Sequence, residues 1–210
     1  DLQYLLAQDT LTELHRRVPA DRGGYVNDVV ITSGPEKSRL KSGVAIAIVQ
    51  ECLGALAALH RDGIVHGDLK PANIMLKKTG NAKIIDLGSA CSTDYVRGHR
   101  PFTPQYAPPE VLQGGSCTPF SDLASLGYVL VEMLAGRPLF SGITDSHQLL
   151  DAKHRLVEEL PELLPQEVLA SESLMHLART LVAPEPEQRH PSEEAADLMK
   201  IGAAYFQREL

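Results

Sequence analysis

The fold of this 210-residue chain is decided by the stretch HGDLKPAN at residues 66–73. Short apolar pieces flank it, Ile-Val at residues 64–65 and Ile-Met-Leu at residues 74–76, and a third apolar piece follows at residues 83–85. Asp, Gly, Asn and Pro separate these pieces. Short strands around a loop give this pattern, and functional groups concentrate in such loops. The stretch therefore predicts a polar, chemistry-bearing loop between short strands.

Four polar side chains in and after this loop suit the transfer of a phosphoryl group. That reaction requires positioning, metal ions and an acceptor for the proton of the attacking hydroxyl. Asp68 can accept this proton, Lys70 can neutralise charge on the γ-phosphate, and Asn73 can hold Mg²⁺ through its carbonyl oxygen. Asp86, in the triplet Asp-Leu-Gly after a predicted hairpin, can hold the metal ion that bridges the phosphates.

The order of these motifs resembles that of the eukaryotic-type protein kinase family. Residues 103–110, TPQYAPPE, match the end of that family's activation segment, and residues 121–127, SDLASLG, match the start of its central buried helix. The resemblance covers essentially the whole chain. It implies an α+β, protein-kinase-like fold, with a mainly helical C-terminal lobe and short β-hairpins at the active-site face. It also implies a serine/threonine protein kinase that uses ATP, Mg²⁺ and a protein substrate.

The resemblance gives each matching residue a role. The implied catalytic residues are Asp68, Lys70 and Asn73, the implied nucleotide contacts are Met75, Asp86, Asn73 and Lys70, and the implied Mg²⁺ ligands are Asn73 and Asp86. The implied structural supports are His66, Thr103, Glu110, Asp122 and Arg189. Asp122 would accept hydrogen bonds from backbone amides of the catalytic loop, Thr103 would contact Asp68 and Lys70, and Glu110 would form a buried ion pair with Arg189.

Two other functions fit parts of the same sequence. His-Gly-Asp also opens the catalytic loop of antibiotic and small-molecule kinases of similar fold, but those enzymes usually lack Lys70 and the segment at residues 103–110. A non-catalytic, pseudokinase-like interaction module is the second alternative. Such modules usually lose Asp68, Asn73 or Asp86, and all three are present here. A protein serine/threonine kinase is therefore the favoured interpretation.

The usual motifs of the small, N-terminal lobe are missing from the sequence. No Gly-x-Gly-x-x-Gly loop precedes the catalytic loop, and Ala47 stands where the VAIA piece at residues 44–47 would need the ATP-binding lysine. We expect residues 1–8 to be the last small-lobe strand and the hinge, and residues 9–210 to be the C-terminal lobe. The remainder of the small lobe would come from upstream sequence or another chain, unless the chain is a degenerate kinase. The isolated chain is expected to be weakly active or inactive.

Two departures from the family pattern fall in the catalytic loop, at residues 66–73, and the activation segment, at residues 86–110. Gly67 replaces the usual Arg, which makes this a non-RD sequence and removes the usual receiver of an activation-segment phosphate. We therefore expect activity without phosphorylation of that segment. Leu87 replaces the usual Phe, and an apolar side chain there is expected to stack under His66.

Composition and charge limit the classes of protein to which the chain could belong. Hydrophobic residues make up 43% and charged residues 22%, a balance that allows a globular core. The net charge of −7 and the lack of a Lys/Arg run argue against nucleic-acid binding. Three cysteines without metal-ligand spacing predict a reduced, cytoplasmic chain. The longest apolar run, residues 44–59, contains Gln50 and Glu51, which favours a buried helix over a membrane span.

Hydrophobic periodicity and capping residues predict the order of elements. The N-terminal part is expected to form a strand at residues 2–7, a short helix from Asp9 or Thr10 to Arg17, a loop at 18–37, and a helix at 38–62 that Gly63 ends. Further helices are predicted at 121–135, with Ser121 as a cap, and at 144–160, 171–182 and 192–208.

Overall fold

Two long helices form the centre of the fold in this computed structural model, which describes residues 1–6, 31–33, 38–77, 81–93 and 101–207. Helix α2 spans Ser42–Arg61 and helix α4 spans Pro119–Ala135, and the two pack against each other. Helix α2 buries an apolar face that includes Ile46, Val49 and Leu53. The helix stops before Gly63, whose φ of +70° is a conformation that favours glycine.

Helix α4 is buried on every side. Nearly all its side chains from Ser121 to Leu134 are shielded from solvent, which is the expected environment of a helix without a polar face. It begins two residues before the predicted start, because Thr118 is the N-cap residue. The amide of Thr118 donates to Ser121 Oγ over 3.0 Å, so Ser121 closes the first turn from inside the helix.

Six further helices lie in the described part of the chain, and they complete a mostly helical domain. They are α1 (Leu2–Leu6), α3 (Pro109–Leu112), α5 (Ser146–Leu163), α6 (Gln166–Leu169), α7 (Glu172–Leu181) and α8 (Ser192–Gln207). The predicted helices at 144–160, 171–182 and 192–208 are confirmed to within three residues at their ends. Helices α3 and α6 have four residues each and were not predicted. Helix α8 packs on α2 and α7, and α7 packs on α4.

The described strands form three two-stranded antiparallel sheets. Strand β1 (Ile31–Ser33) pairs with β2 (Ser38–Leu40), β3 (Ile64–Val65) pairs with β6 (Cys91–Ser92), and β4 (Ile74–Leu76) pairs with β5 (Ala82–Ile84). The strands β3, β4 and β5 were predicted, whereas β6 lies in the activation segment, where no strand was expected. The first pair was not predicted either, since residues 31–33 were expected in a loop and residues 38–40 in a helix. Strand β2 contacts α4 and buries Leu40, and Lys41 remains extended before α2 begins.

The prediction of a strand at residues 2–7 was wrong, because Leu2–Leu6 is helical. Leu2 is fully buried, and Leu6, one helical turn later, packs against the same core. This short helix contacts β4 and the 3₁₀ turn Pro71–Asn73 at the end of the catalytic loop. Tertiary contact therefore sets its conformation. The assignment of residues 1–8 to the small lobe and hinge stays a prediction, and the helix predicted at 9–17 lies outside the described residues.

Helix α2 is, within the described ranges, the one helix that is long and apolar enough to cross a membrane by length and composition. Its apolar residues also have another explanation, because the face that carries Ile46, Val49 and Leu53 lies in the core of the domain. Packing against α4 and α8 accounts for the length and apolar character of this helix.

Candidate active site

The catalytic loop, residues 66–73, is hydrogen-bonded to the buried carboxylate of Asp122 on α4. The amide of His66 donates to Asp122 Oδ2 over 2.8 Å, and the amide of Gly67 donates to Asp122 Oδ1 over 2.9 Å. His60 Nε2 lies 2.9 Å from Oδ2 of the same carboxylate. Asp122 is 1% exposed, so its charge is compensated by these contacts and not by water. The central helix thus fixes the backbone at the start of the loop.

Asp68, Lys70 and Thr103 form one hydrogen-bonded cluster. Lys70 Nζ donates to Asp68 Oδ2 over 2.6 Å and to Thr103 Oγ1 over 2.7 Å. The amide of Thr103 donates to Asp68 Oδ1 over 2.8 Å. Each oxygen of the Asp68 carboxylate therefore has a fixed partner, and each still has a lone pair for a further donor. The cluster joins the catalytic loop to a segment more than thirty residues later in the chain.

Asn73 and Asp86 come together through the β4–β5 hairpin. Asn73 Nδ2 donates to the backbone oxygen of Asp68 over 2.8 Å, and the backbone oxygen of Asn73 accepts from the amide of Ile85 over 2.9 Å. Asp86 follows directly, with a φ of +65°, the one positive φ of a non-glycine residue among the described residues. Non-glycine residues adopt this region rarely, and such strain is concentrated at functional sites.

The side chains of Asn73 and Asp86 carry the types of oxygen atom that could hold a magnesium ion. Mg²⁺ prefers amide and carboxylate oxygens and usually takes one or two protein ligands, with phosphate oxygens and water as the others. Among the described residues, no cluster of three or more His, Cys, Asp or Glu side chains forms a closed metal site. Asn73 is buried and Asp86 is exposed, so the two residues could offer one protein oxygen each to an ion that phosphate oxygens and water complete.

The apolar residues at this face differ in exposure. His66 is fully buried, and its Nε2 lies 3.2 Å from the backbone oxygen of Ile85. Met75 is 45% exposed and Leu87 is 54% exposed. The stacking of Leu87 under His66 stays a prediction, since Leu87 is about half exposed and His66 Nε2 contacts the backbone oxygen of Ile85. Met75 remains a candidate contact for the base.

Glu110 and Arg189 form a buried, bidentate ion pair that locks the end of the activation segment to the helical core. Arg189 Nη1 and Nη2 donate to the two Glu110 carboxylate oxygens over 2.7 and 3.0 Å. The guanidinium also donates to three backbone oxygens, of Ala183, Pro184 and Phe120. The Arg189 side chain is 0% exposed and that of Glu110 is 18% exposed. Every N–H of the guanidinium therefore has an acceptor.

A second polar pair, Tyr106 and Glu132, lines a cleft together with Thr103 and was not predicted from the sequence. Tyr106 Oη donates to Glu132 Oε2 over 2.8 Å, and burial raises the pKa of the Glu132 carboxyl, although the Tyr106 hydrogen bond opposes this shift. Glu132 lines a cleft of about 470 Å³ together with Thr103, Gln105 and Tyr106. One signal was available in the sequence, because Glu132 is an acidic residue within the apolar run Tyr-Val-Leu-Val-Glu-Met-Leu at residues 128–134.

The backbone around Gly67 leaves no room for a side chain at this position. Its φ is +80°, and a Cβ atom added there would lie 2.9 Å from the backbone oxygen of Ser89. Real Cβ atoms do not approach that closely, so the residue that replaces the usual Arg is held between the start of the catalytic loop and the activation segment.

Comparisons with known proteins agree with this geometry. A family model described as protein kinase domain matches residues 20–199. The chain is 34% identical over 191 residues to serine/threonine-protein kinase PknB of Mycobacterium tuberculosis, and the match covers 85% of the chain and 29% of that protein. It is 30% identical over 192 residues to PknL of the same organism, with coverage of 86% and 43%, and 35% identical over 190 residues to PknB of Mycobacterium leprae, with coverage of 85% and 29%.

The chain thus spans 29% to 43% of the length of these curated relatives. The family match covers most of the residues that build the site, from the catalytic loop to Arg189. The mostly helical architecture with short antiparallel strand pairs is the protein kinase fold. The chain belongs to the protein kinase family.

Proposed function

We propose that this chain supplies the C-terminal-lobe half of an ATP-dependent protein serine/threonine kinase. The observation that supports the proposal best is the cluster of Asp68, Lys70 and Thr103, with its contacts of 2.6 to 2.8 Å. The cluster holds an acceptor and a cation side by side, next to two oxygen ligands for a metal ion. The reaction is the transfer of the γ-phosphoryl group of ATP to a hydroxyl group of a protein.

Asp68 and Lys70 have different roles at the transferred phosphoryl group. A substrate hydroxyl donates its proton toward a free lone pair of Asp68, whose orientation is fixed by the Thr103 amide. Lys70 places positive charge beside the oxygen that attacks and beside the transferred phosphoryl group. Asn73 and Asp86 would hold Mg²⁺, which when bound neutralises charge on the phosphates. These residues supply positioning and charge, which are the main protein contributions to phosphoryl transfer.

Thr103 and Lys70 support a protein substrate with a serine or threonine acceptor. The side chain of Thr103 joins the catalytic loop to residues 103–110, a segment that small-molecule kinases of similar fold lack. The curated relatives carry the names of serine/threonine-protein kinases. The cleft that Thr103 lines offers space for a polypeptide segment, and Thr103 connects this cleft to Asp68 through its amide.

The exposure of Met75 and Leu87 supports a missing cover over the nucleotide site. Two large apolar side chains that are about half exposed border the proposed metal ligands. We infer that a small lobe, from upstream sequence or another chain, covers them and encloses ATP. Gly67 supports a further inference, namely that the complete kinase is active without phosphate on its activation segment. Alanine replacements of Ser89, Ser92 and Thr93 should leave its activity in place.

A radiolabel transfer assay tests the proposal on the complete protein. Asp68→Asn should lower kcat by at least about a hundredfold, since general-base groups contribute roughly 10²–10⁴. Asp151→Asn is the matched control, because Asp151 is an exposed carboxylate on α5 that takes no part in the cluster of Asp68, Lys70 and Thr103. Loss of phosphate transfer in both variants, or in neither, contradicts the role of Asp68. A complete wild-type protein that binds nucleotide and transfers no phosphate would support the interaction module instead.

Nucleotide binding tests the metal ligands separately. Asp86→Asn should weaken ATP binding in the presence of Mg²⁺ and have little effect in its absence, because the carboxylate acts on the nucleotide through the ion. Fluorescent nucleotide titrations with Mg²⁺ and with EDTA measure the difference. Equal ATP affinity of wild type and variant with Mg²⁺ present would exclude Asp86 as a ligand.

A further inference from the structure

Lys153 is a completely buried lysine in the middle of α5. Its side chain is 0% exposed, which is rare because lysine loses strong hydration on burial. Its Nζ donates to the backbone oxygen of Gln105 over 2.7 Å. The partner is a main-chain carbonyl 48 residues earlier in the chain, in the segment that also carries Thr103. A buried cation that binds a backbone carbonyl of a loop holds that loop in one place.

Two aromatic rings complete the environment of Lys153. Its Nζ lies 4.0 Å from the ring centroid of Tyr128 on α4 and 4.0 Å from that of Phe140. The rings themselves pack edge to face, with centroids 5.4 Å apart. Cation–π attraction is stronger when the cation is desolvated, and it offsets part of the burial cost. Burial nevertheless lowers the pKa of Lys153 well below its usual value, so this site is unfavourable for an ammonium group.

The carbonyl that Lys153 binds lies inside a tight turn. The backbone oxygen of Thr103 accepts from the amides of Tyr106 over 2.9 Å and Ala107 over 3.0 Å. On one side, the turn is fixed to the catalytic loop, because Thr103 contacts Asp68 and Lys70. On the other side, Lys153 fixes it to α5. The turn is thereby held from both directions.

The same turn forms a wall of a cleft that reaches Asp68 only through Thr103. Thr103, Gln105 and Tyr106 line this cleft of about 470 Å³, and Tyr128 and Phe140 line it as well. Lys153 is behind that wall and has no exposed surface. Its position therefore affects what the cleft binds through the residues that it holds, and not by direct contact.

We propose that Lys153 is a positioning residue for the protein substrate, which keeps the turn at residues 103–107 in the shape that binds the polypeptide next to Asp68. The inference rests on the proposed kinase function. It assigns Lys153 an effect on the binding of the protein substrate and none on ATP. Asn73 and Asp86 are held by the β4–β5 hairpin and not by this turn. Lys70 contacts Thr103 of the turn but is also held by Asp68.

The first test is steady-state kinetics of Lys153→Met in the complete protein, with a peptide substrate. Methionine keeps most of the volume and removes the donor. The KM for peptide should rise about tenfold, as expected for the loss of one hydrogen bond from a charged donor, while the KM for ATP stays unchanged. Lys153→Arg keeps donors and the stacking on aromatic rings, and should restore part of the affinity for peptide. An equal change in both KM values overturns the proposal.

The second test needs no phosphate transfer. Hydrogen exchange of the Tyr106 and Ala107 amides should be about tenfold faster or more in Lys153→Met, whereas the amides of α5 should exchange as in wild type. The melting temperature should change little, because the loss of the donor to the Gln105 carbonyl and the removal of a desolvated cation act in opposite directions. Unchanged exchange at Tyr106 and Ala107 overturns the proposal, as does faster exchange throughout α5 with a lower melting temperature. If the wild type transfers no phosphate, the kinase function fails, and exchange still decides the role of Lys153.

Discussion

Replacement of Arg189 by methionine should be among the most destabilising single changes in this domain. The variant removes all five donors of the guanidinium while retaining much of the side-chain volume. Glu110 then keeps only the hydroxyl of Ser121, which donates to Oε1 over 2.9 Å. Three backbone oxygens, of Ala183, Pro184 and Phe120, also lose their donor. The change therefore leaves a largely buried carboxylate without its countercharge.

The magnitude follows from the burial of the pair. Removing one partner of a buried ion pair costs about 3–5 kcal/mol, because the remaining charge stays desolvated. Glu110 is 18% exposed, which places the expected loss near the lower end, about 3 kcal/mol. For a domain of this size, each kcal/mol lowers the melting temperature by about 2–4 °C. The melting temperature should therefore fall by roughly 6–12 °C.

Urea unfolding of the complete kinase domain, followed by circular dichroism, measures the free energy of unfolding. Arg61→Met is a matched control, since Arg61 and Glu193 form an ion pair with both side chains about two-thirds exposed. Exposed pairs contribute about 0–1 kcal/mol, so the control should change little. In a double-mutant cycle, Glu110→Gln with Arg189→Met should cost less than the sum of the two single changes. If Arg189→Met loses no more stability than Arg61→Met, the reasoning about burial is refuted.

Three further predictions concern groups on α4. Because burial raises the Glu132 pKa, ionisation of Glu132 reduces stability as pH rises above the usual carboxyl range. Glu132→Gln should therefore be more stable than wild type at about pH 8 and not at about pH 4. An equal difference in unfolding free energy at both pH values would contradict this. Gly127→Ala should cost about 1–3 kcal/mol in urea unfolding, since the added Cβ would lie 2.8 Å from Leu181 Cβ, and a neutral effect would show that α7 can move. Asp122→Asn should cost about 2 kcal/mol of unfolding free energy, because the amide group retains one acceptor oxygen where the carboxylate supplies two. Chemical denaturation measures this loss, and a much smaller value would show that water replaces the missing acceptor.

Elements with a strong internal pattern could be predicted from the sequence. Helices α2 and α4 are long and rich in Ala, Leu and Val, so their existence followed from length and apolar content, and only their ends were displaced. Leu2–Leu6 is too short to show a period, and five mostly apolar residues fit a strand or a helix equally well. The pair of β1 and β2 depends on the burial of Leu40 against α4, which no local pattern records.

At the candidate active site, too, local features could be predicted from the sequence and contacts between distant residues could not. The contact of Lys70 with Asp68 is local, since the residues are two apart, and their chemistry was evident from spacing. The contact of Thr103 with both was available only through the resemblance to a family, because more than thirty residues separate them. Lys153 carried no signal, since a lysine in an amphipathic helix is ordinarily solvated. Its burial results from three segments that meet only after folding, at Gln105, Tyr128 and Phe140.

The geometry at Gly67 bears on how such an enzyme could acquire or lose a regulatory input during evolution. A phosphate-reading arginine cannot be installed there by one codon change alone, because the Cβ of any new side chain would meet the Ser89 carbonyl at 2.9 Å with the backbone at a φ of +80°. The peptide at Ser89 would have to shift in the same lineage. A glycine at this position is therefore easier to keep than to replace, and a receiver for a phosphate group would evolve more readily at other surfaces.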